Sequence, residues 1–151
     1  MELAADDDPE NQRLQPGIWN NLAAVYIAER KLPEACSALI RAQALTQREP
    51  NEGERERVMI GVLSNLGTVL YRMRDYARAE ENLRDAIKLQ EKPHDRDMGR
   101  LTVLLANLKQ VLNKQKRMRE GKEIDDRLQA LLWDARQTVN VNALHQQKRI
   151  K

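Results

Sequence analysis

Residues Val62–Ile87 read VLSNLGTVLYRMRDYARAEENLRDAI, and two helical periods run through them. Leu63, Leu66, Leu70 and Met73 fall at i, i+3, i+7 and i+10, one apolar stripe at the repeat of an α-helix. Tyr76, Ala79, Leu83, Ala86 and Ile87 make a second stripe, and Arg74-Asp75 supplies the turn between them. Neither helix can bury its stripe alone, so each needs the other and a further neighbour. Gly67 and Ala79 stand on the facing sides, where larger side chains would push the backbones apart.

The same frame recurs upstream as Trp19, Leu22, Ala23 and Tyr26 followed by Ala35, Leu39 and Ala42. A third copy starts at Leu105 and Leu108 and reaches Leu112, but Lys109 takes the small position, Gly121 the Ala position and Asp125 the bulky one. This pattern resembles the tetratricopeptide repeat (TPR) signature of a bulky residue, Leu, Gly and an aromatic, then Ala and a bulky residue. Trp19 to Leu63 is 44 residues and Leu63 to Leu105 is 42, against about 34 in the standard repeat. The longer period, with NNLA and SNLG in register, is similar to the TPR class of kinesin light chains. The resemblance implies an all-α solenoid of three antiparallel helix pairs, repeats at 16–47, 54–91 and 97–136, with an extended C-terminal capping helix.

Composition agrees with a thin helical stack. Of 151 residues, 32% are charged and 41% hydrophobic, with no Phe and only six glycines. No run of about 18 apolar residues suggests a transmembrane span, and the acidic N-terminus lacks the pattern of a secretory signal. The single cysteine, Cys36, makes no internal disulfide and suits a reducing compartment, so cytoplasm or another intracellular space is expected. The first sixteen residues hold five acids and one Arg, whereas Lys148, Arg149 and Lys151 crowd the end. Solvated ends explain this asymmetry most simply; attraction between copies end to end is the alternative.

Along the chain, residues 1–15 read as an acidic mobile arm or the remnant of a link after another helix, which leaves open a segment of a longer array. Pro16 suits a first helical position, and the first helix is expected from there to about Arg30. Pro33 opens the second, and Glu49-Pro50 closes it near Gln47. Asn51 with Glu54 resembles a capping box for the third, which runs to about Met73. The fourth spans Tyr76 to about Glu91. Asp95 or Asp97 caps the fifth, which ends near Lys114. The sixth starts near Met118 and keeps an apolar face through Ile124, Leu128, Leu131, Leu132, Ala135 and Val139. Such a helix hides the last repeat's core, and Trp133 is expected to pack there rather than mark a partner surface. Residues 137–151 read as a basic tail or a helix extension.

Little in the sequence points to catalysis, a metal or a cofactor. His94 and His145 are far apart, Cys36 falls on the apolar stripe of the second helix, and no glycine-rich loop or His/Cys cluster has ligand spacing. The chain is therefore read as a non-enzyme without cofactor. Asn21, Asn65 and Asn107 are more informative, each directly before the motif leucine of its copy. Helix interiors disfavour Asn slightly, and each amide offers both donors and an acceptor. The resemblance implies that first helices line a concave groove and that asparagines here hold the backbone of an extended cargo peptide. At the same phase, Asn20, Ala24, Ser64, Thr68, Tyr71, Arg72, Gln110, Asn113 and Lys114 are expected to line or rim it. The two cations toward one end favour a partner peptide with an acidic residue. Carboxylate-clamp TPRs, which take chaperone tails, need Lys and Arg at places that here hold Asn20, Ala24, Val103 and Asn107; only Asn65 matches, so such tails are not expected. The expected function is a protein–protein interaction module acting as adaptor or assembly scaffold. One rival is self-association through helix ends or the convex face. The other is a nucleic-acid binder, suggested by pI 9.1 and disfavoured by the scarcity of aromatics for base stacking.

Overall fold

The computed structural model describes the backbone of residues 9–92 and 97–149 and the side chains of 16–92 and 97–139. Six helices follow one another: α1 (Pro9–Ala28), α2 (Leu32–Thr46), α3 (Glu52–Arg72), α4 (Tyr76–Gln90), α5 (Met98–Lys114) and α6 (Met118–Arg149). Their starts obey local capping chemistry. Asn51 accepts from the Glu54 N–H and Asp97 from the Arg100 N–H, which satisfies one otherwise orphaned donor in each first turn. The capping box at Asn51 is only half formed, because the Asn51 N–H goes to Glu49 while Glu54 turns to Arg57.

Helix α1 corrects one expectation. It begins at Pro9, not Pro16, and Pro16 stands inside it. Pro16 is buried at the position that Ile60 fills in α3, so the ring is used as core. The acidic stretch 1–8, the alternative cap Asp95, and His94 lie outside the described residues. His145 and the basic tail lie outside the described side chains, although the backbone of α6 continues as helix to Arg149.

Each pair turns at one left-handed residue: Arg30 (φ 60°), Arg74 (φ 65°) and Lys116 (φ 61°). The following N–H reaches back five residues, from Lys31 to Tyr26 (2.8 Å), Asp75 to Leu70 (2.9 Å) and Arg117 to Leu112 (3.0 Å). This is the Schellman closure, normally given to glycine because a Cβ is strained there. Arg74 is exposed, so Arg74→Gly removes strain without removing packing. We expect it to raise stability by about 1 kcal/mol, read as a higher urea midpoint.

Helices pack in a zigzag. Each odd helix lies on the even helix that follows it, α2 lies on α3 and α4 on α5, and the odd helices also touch one another (α1 with α3, α3 with α5). The backbones of the even helices stay apart; a cleft of about 240 Å³ lined by Ile40, Gln43, Arg78, Glu81, Asn82 and Asp85 separates α2 from α4. The odd helices therefore form the inner, concave layer and the even ones the outer. Between layers lie the fully buried Leu39, Ile60, Leu70, Leu83, Leu101 and Leu105.

The motif positions explain how close the layers come. A Cβ on Gly67 would sit 2.6 Å from Leu83 Cγ and 2.8 Å from its Cδ2. In the first pair, the corresponding Ala23 and Leu39 are both wholly buried. The third pair solves the same contact differently: Lys109 and Asp125 form an ion pair at 2.6 Å. The two departures from the motif are one compensated exchange.

Charges tie α4 to the turn before α6. Glu80 accepts from Arg84 (2.8 Å) and Arg117 (2.5 Å), and Arg117 grips Glu120 through two nitrogens at 2.7 and 2.5 Å. Burial pushes the Glu80 carboxyl up, but the hydrogen bonds from Arg84 and Arg117 outweigh it and hold the group below its ordinary 4.5. Hydrogen bonding from Arg117 lowers Glu120 likewise. A depressed carboxyl contributes stability that is full above the ordinary value and lost as pH falls through the lowered one. Stability should therefore fall with pH below about 4.5, and Glu80→Gln should flatten that fall, measured as urea midpoints across the acid range.

Candidate peptide-binding groove

Positions 61, 64, 65, 68 and 72 share one face of α3, and their counterparts are 17, 20, 21, 24 and 28 in α1 and 103, 106, 107, 110 and 114 in α5. Because the odd helices are the inner layer, these three rows lie side by side on the concave surface. Asn20, Ser64, Asn65, Thr68, Tyr71 and Asn107 are half-buried there, while Asn21, Ala24, Arg72, Gln110, Asn113 and Lys114 are exposed. The rows meet through side chains: Asn65 Nδ2 donates to Asn20 Oδ1 at 2.9 Å. The asparagine that Asn65 meets is thus the neighbour of Asn21 rather than Asn21 itself. An amide with one N–H used keeps a second N–H and acceptor lone pairs. Thr68 Oγ1 is turned inward, donating to the Ser64 carbonyl at 3.1 Å.

Two expected rim residues are held at the turn ends. Tyr71 packs against Tyr76, ring centroids 5.7 Å apart and tilted by 57°. Asn113 leans over the first turn of α6, where a Cβ on Gly121 would come 2.6 Å from its Oδ1. Arg72 and Lys114 occupy matching places in neighbouring rows and make no ion pair among the described residues, unlike Lys92 with Glu56 or Arg127 with Glu91.

Sequence reading missed the floor of this surface. Gly17 and Gly61 stand at the same repeat position, one turn before the asparagines, and a Cβ on either would meet nothing within 4 Å. Their counterpart, Val103, is 56% exposed. Glycine inside a helix costs about 0.5–1 kcal/mol relative to alanine, and here no packing demands it. The available signal was their matching place, 44 residues apart.

Elsewhere, the Arg41 guanidinium lies 4.8 Å above Trp19, beside a cleft of about 440 Å³ between α1 and α2 lined by Tyr26, Pro33, Ser37 and Ala38. Cys36 is buried. Among the described residues no group of three His, Cys, Asp or Glu could hold a metal, and no helix is long and apolar enough to cross a membrane. Trp133, expected to pack, is 63% exposed, close to where α6 outruns α5.

The family profile described as tetratricopeptide repeat matches residues 15–92. Among solved structures, the C-terminal TPR-containing domain of a Plasmodium falciparum FK506-binding protein is similar in fold, with a TM-score of 0.51 at 15% identity, covering 89% of this chain and 97% of that one. No curated protein matches the sequence.

Proposed function

The chain belongs to the tetratricopeptide repeat family, and from that premise we propose that its concave face holds an extended segment of a partner protein, making it an adaptor or assembly scaffold. The observation that carries this reading is the row of amides along the inner face, Asn20 with Asn65 and then Asn107, set beside the uncovered Gly17 and Gly61. Small residues let a peptide backbone come close, and amides match its N–H and C=O groups whatever its side chains are. Arg72 and Lys114 favour an acidic residue at one end of that segment. Family members are generally interaction modules without chemistry of their own, and this chain is read the same way.

The test is binding of peptides selected from a random display library on the wild-type protein. Micromolar affinity is expected. Asn21→Ala, Asn65→Ala and Asn107→Ala together should weaken binding at least about tenfold, since each amide hydrogen bond contributes about 0.5–1.5 kcal/mol. Gly61→Leu should abolish it by filling the floor while leaving the circular dichroism spectrum unchanged. Unaltered binding by both variants would move the function off the concave face.

A further inference from the structure

The three odd helices carry equivalent apolar positions with unequal fates. Val62 and Val69 in α3 are 0% exposed, and Leu104 and Val111 in α5 are 1% exposed. The same positions in α1 are Ile18, 60% exposed, and Val25, 52% exposed. The difference is the preceding helix: α2 lies on α3 and α4 on α5, whereas no described helix precedes α1. At the other end, α6 has 32 residues against 17 in its partner α5, so at 1.5 Å per residue it runs about 20 Å past it. Leu132, Trp133 and Val139 are exposed on that overhang.

We infer that the overhang of α6 from one copy of this chain occupies the uncovered α1 face of a second copy, head to tail. The internal joints fix the direction. The short links after α2 and α4 place the C-terminal end of each even helix beside the N-terminal end of the next odd helix. The charges suit the same direction across copies, because the end of α6 leads to Lys148, Arg149 and Lys151, and α1 follows Asp6, Asp7 and Asp8. The earlier part of α6 is unsuited to such a contact. It is already engaged by α5, through Asp125 to Lys109 and the buried Leu128, which leaves Leu132, Trp133 and Val139 as the exposed apolar residues of the overhang. The concave face stays open in this arrangement. A heterologous contact of this kind extends into a row or closes into a ring.

Sedimentation velocity at rising concentration tests it. The wild-type mass should climb above the 17.5 kDa of one chain. Ile18→Asp with Val25→Asp should remain monomeric with unchanged helicity, and so should a chain ending at Leu131. Mixed together, these two variants should form particles of two chains and no larger, because each retains the surface that the other lacks. A monomeric wild type, self-association of the aspartate variant, or failure of the two variants to pair would each overturn the inference.

Discussion

Val69→Asp should unfold the stack, whereas Val25→Asp at low concentration should leave stability within about 0.5 kcal/mol of wild type. Both replace the same residue type at the same repeat position. Val69 is wholly buried between α3 and its neighbours, so an aspartate there must carry a charge into the core or fold only when protonated. A cost of at least about 3–5 kcal/mol is enough to unfold a stack near the lower end of the 5–15 kcal/mol that a domain typically has. Val25 is half open to water, and its carboxylate would remain solvated. Thermal unfolding by circular dichroism reads both. Similar losses at the two positions would mean that α1 is covered in solution even in the monomer.

Gly67→Ala should cost about 1–3 kcal/mol, although alanine is the better helix former. The new Cβ would press on Leu83, whose side chain is itself buried and has nowhere to swing. Leu83→Ala should cost about 2–5 kcal/mol by opening a cavity at the same spot. Combining them should cost less than the sum, since the added methyl enters the space that the leucine vacates; a coupling of about 0.5–3 kcal/mol is expected from urea denaturation. Gly121→Ala is the control. Its Cβ meets only the amide end of exposed Asn113, which can rotate aside, so the change should be near neutral. Strict additivity at Gly67 and Leu83 would mean that their contact is not what sets the spacing of α3 and α4.

The helix pairs were legible because each stripe keeps the 3.6-residue period and because Asn51 and Asp97 announce helix starts by local chemistry. Features that depend on distant neighbours were not. Pro16 looks like a first helical residue until Ile60 shows what its position does in the fold. Lys109 and Asp125, read singly, look like decay of the motif; the ion pair between them forms only when α6 folds back on α5. The inner surface was partly legible, since Asn21, Asn65 and Asn107 were found by their phase. The contact that Asn65 makes is offset by one residue, to Asn20, and no single-helix pattern reveals an offset between neighbours. Gly17 and Gly61 escaped because an isolated glycine in a helix reads as a weakness until the space above it is seen. Trp133 was expected to pack because α6 was read as the helix that hides the last repeat's core, yet it stands exposed on that helix.

The zigzag contact pattern has a kinetic consequence. Every helix touches only those within two places of it along the chain, so each closure that folding requires is short and its entropy cost small. Assembly can begin at any pair and spread outward, and loss of order can travel the same way. The pair α3–α4 alone is flanked by another pair on both sides. Its amides should exchange with solvent most slowly, and damage there should divide one cooperative unit into two fragments instead of shortening it from an end.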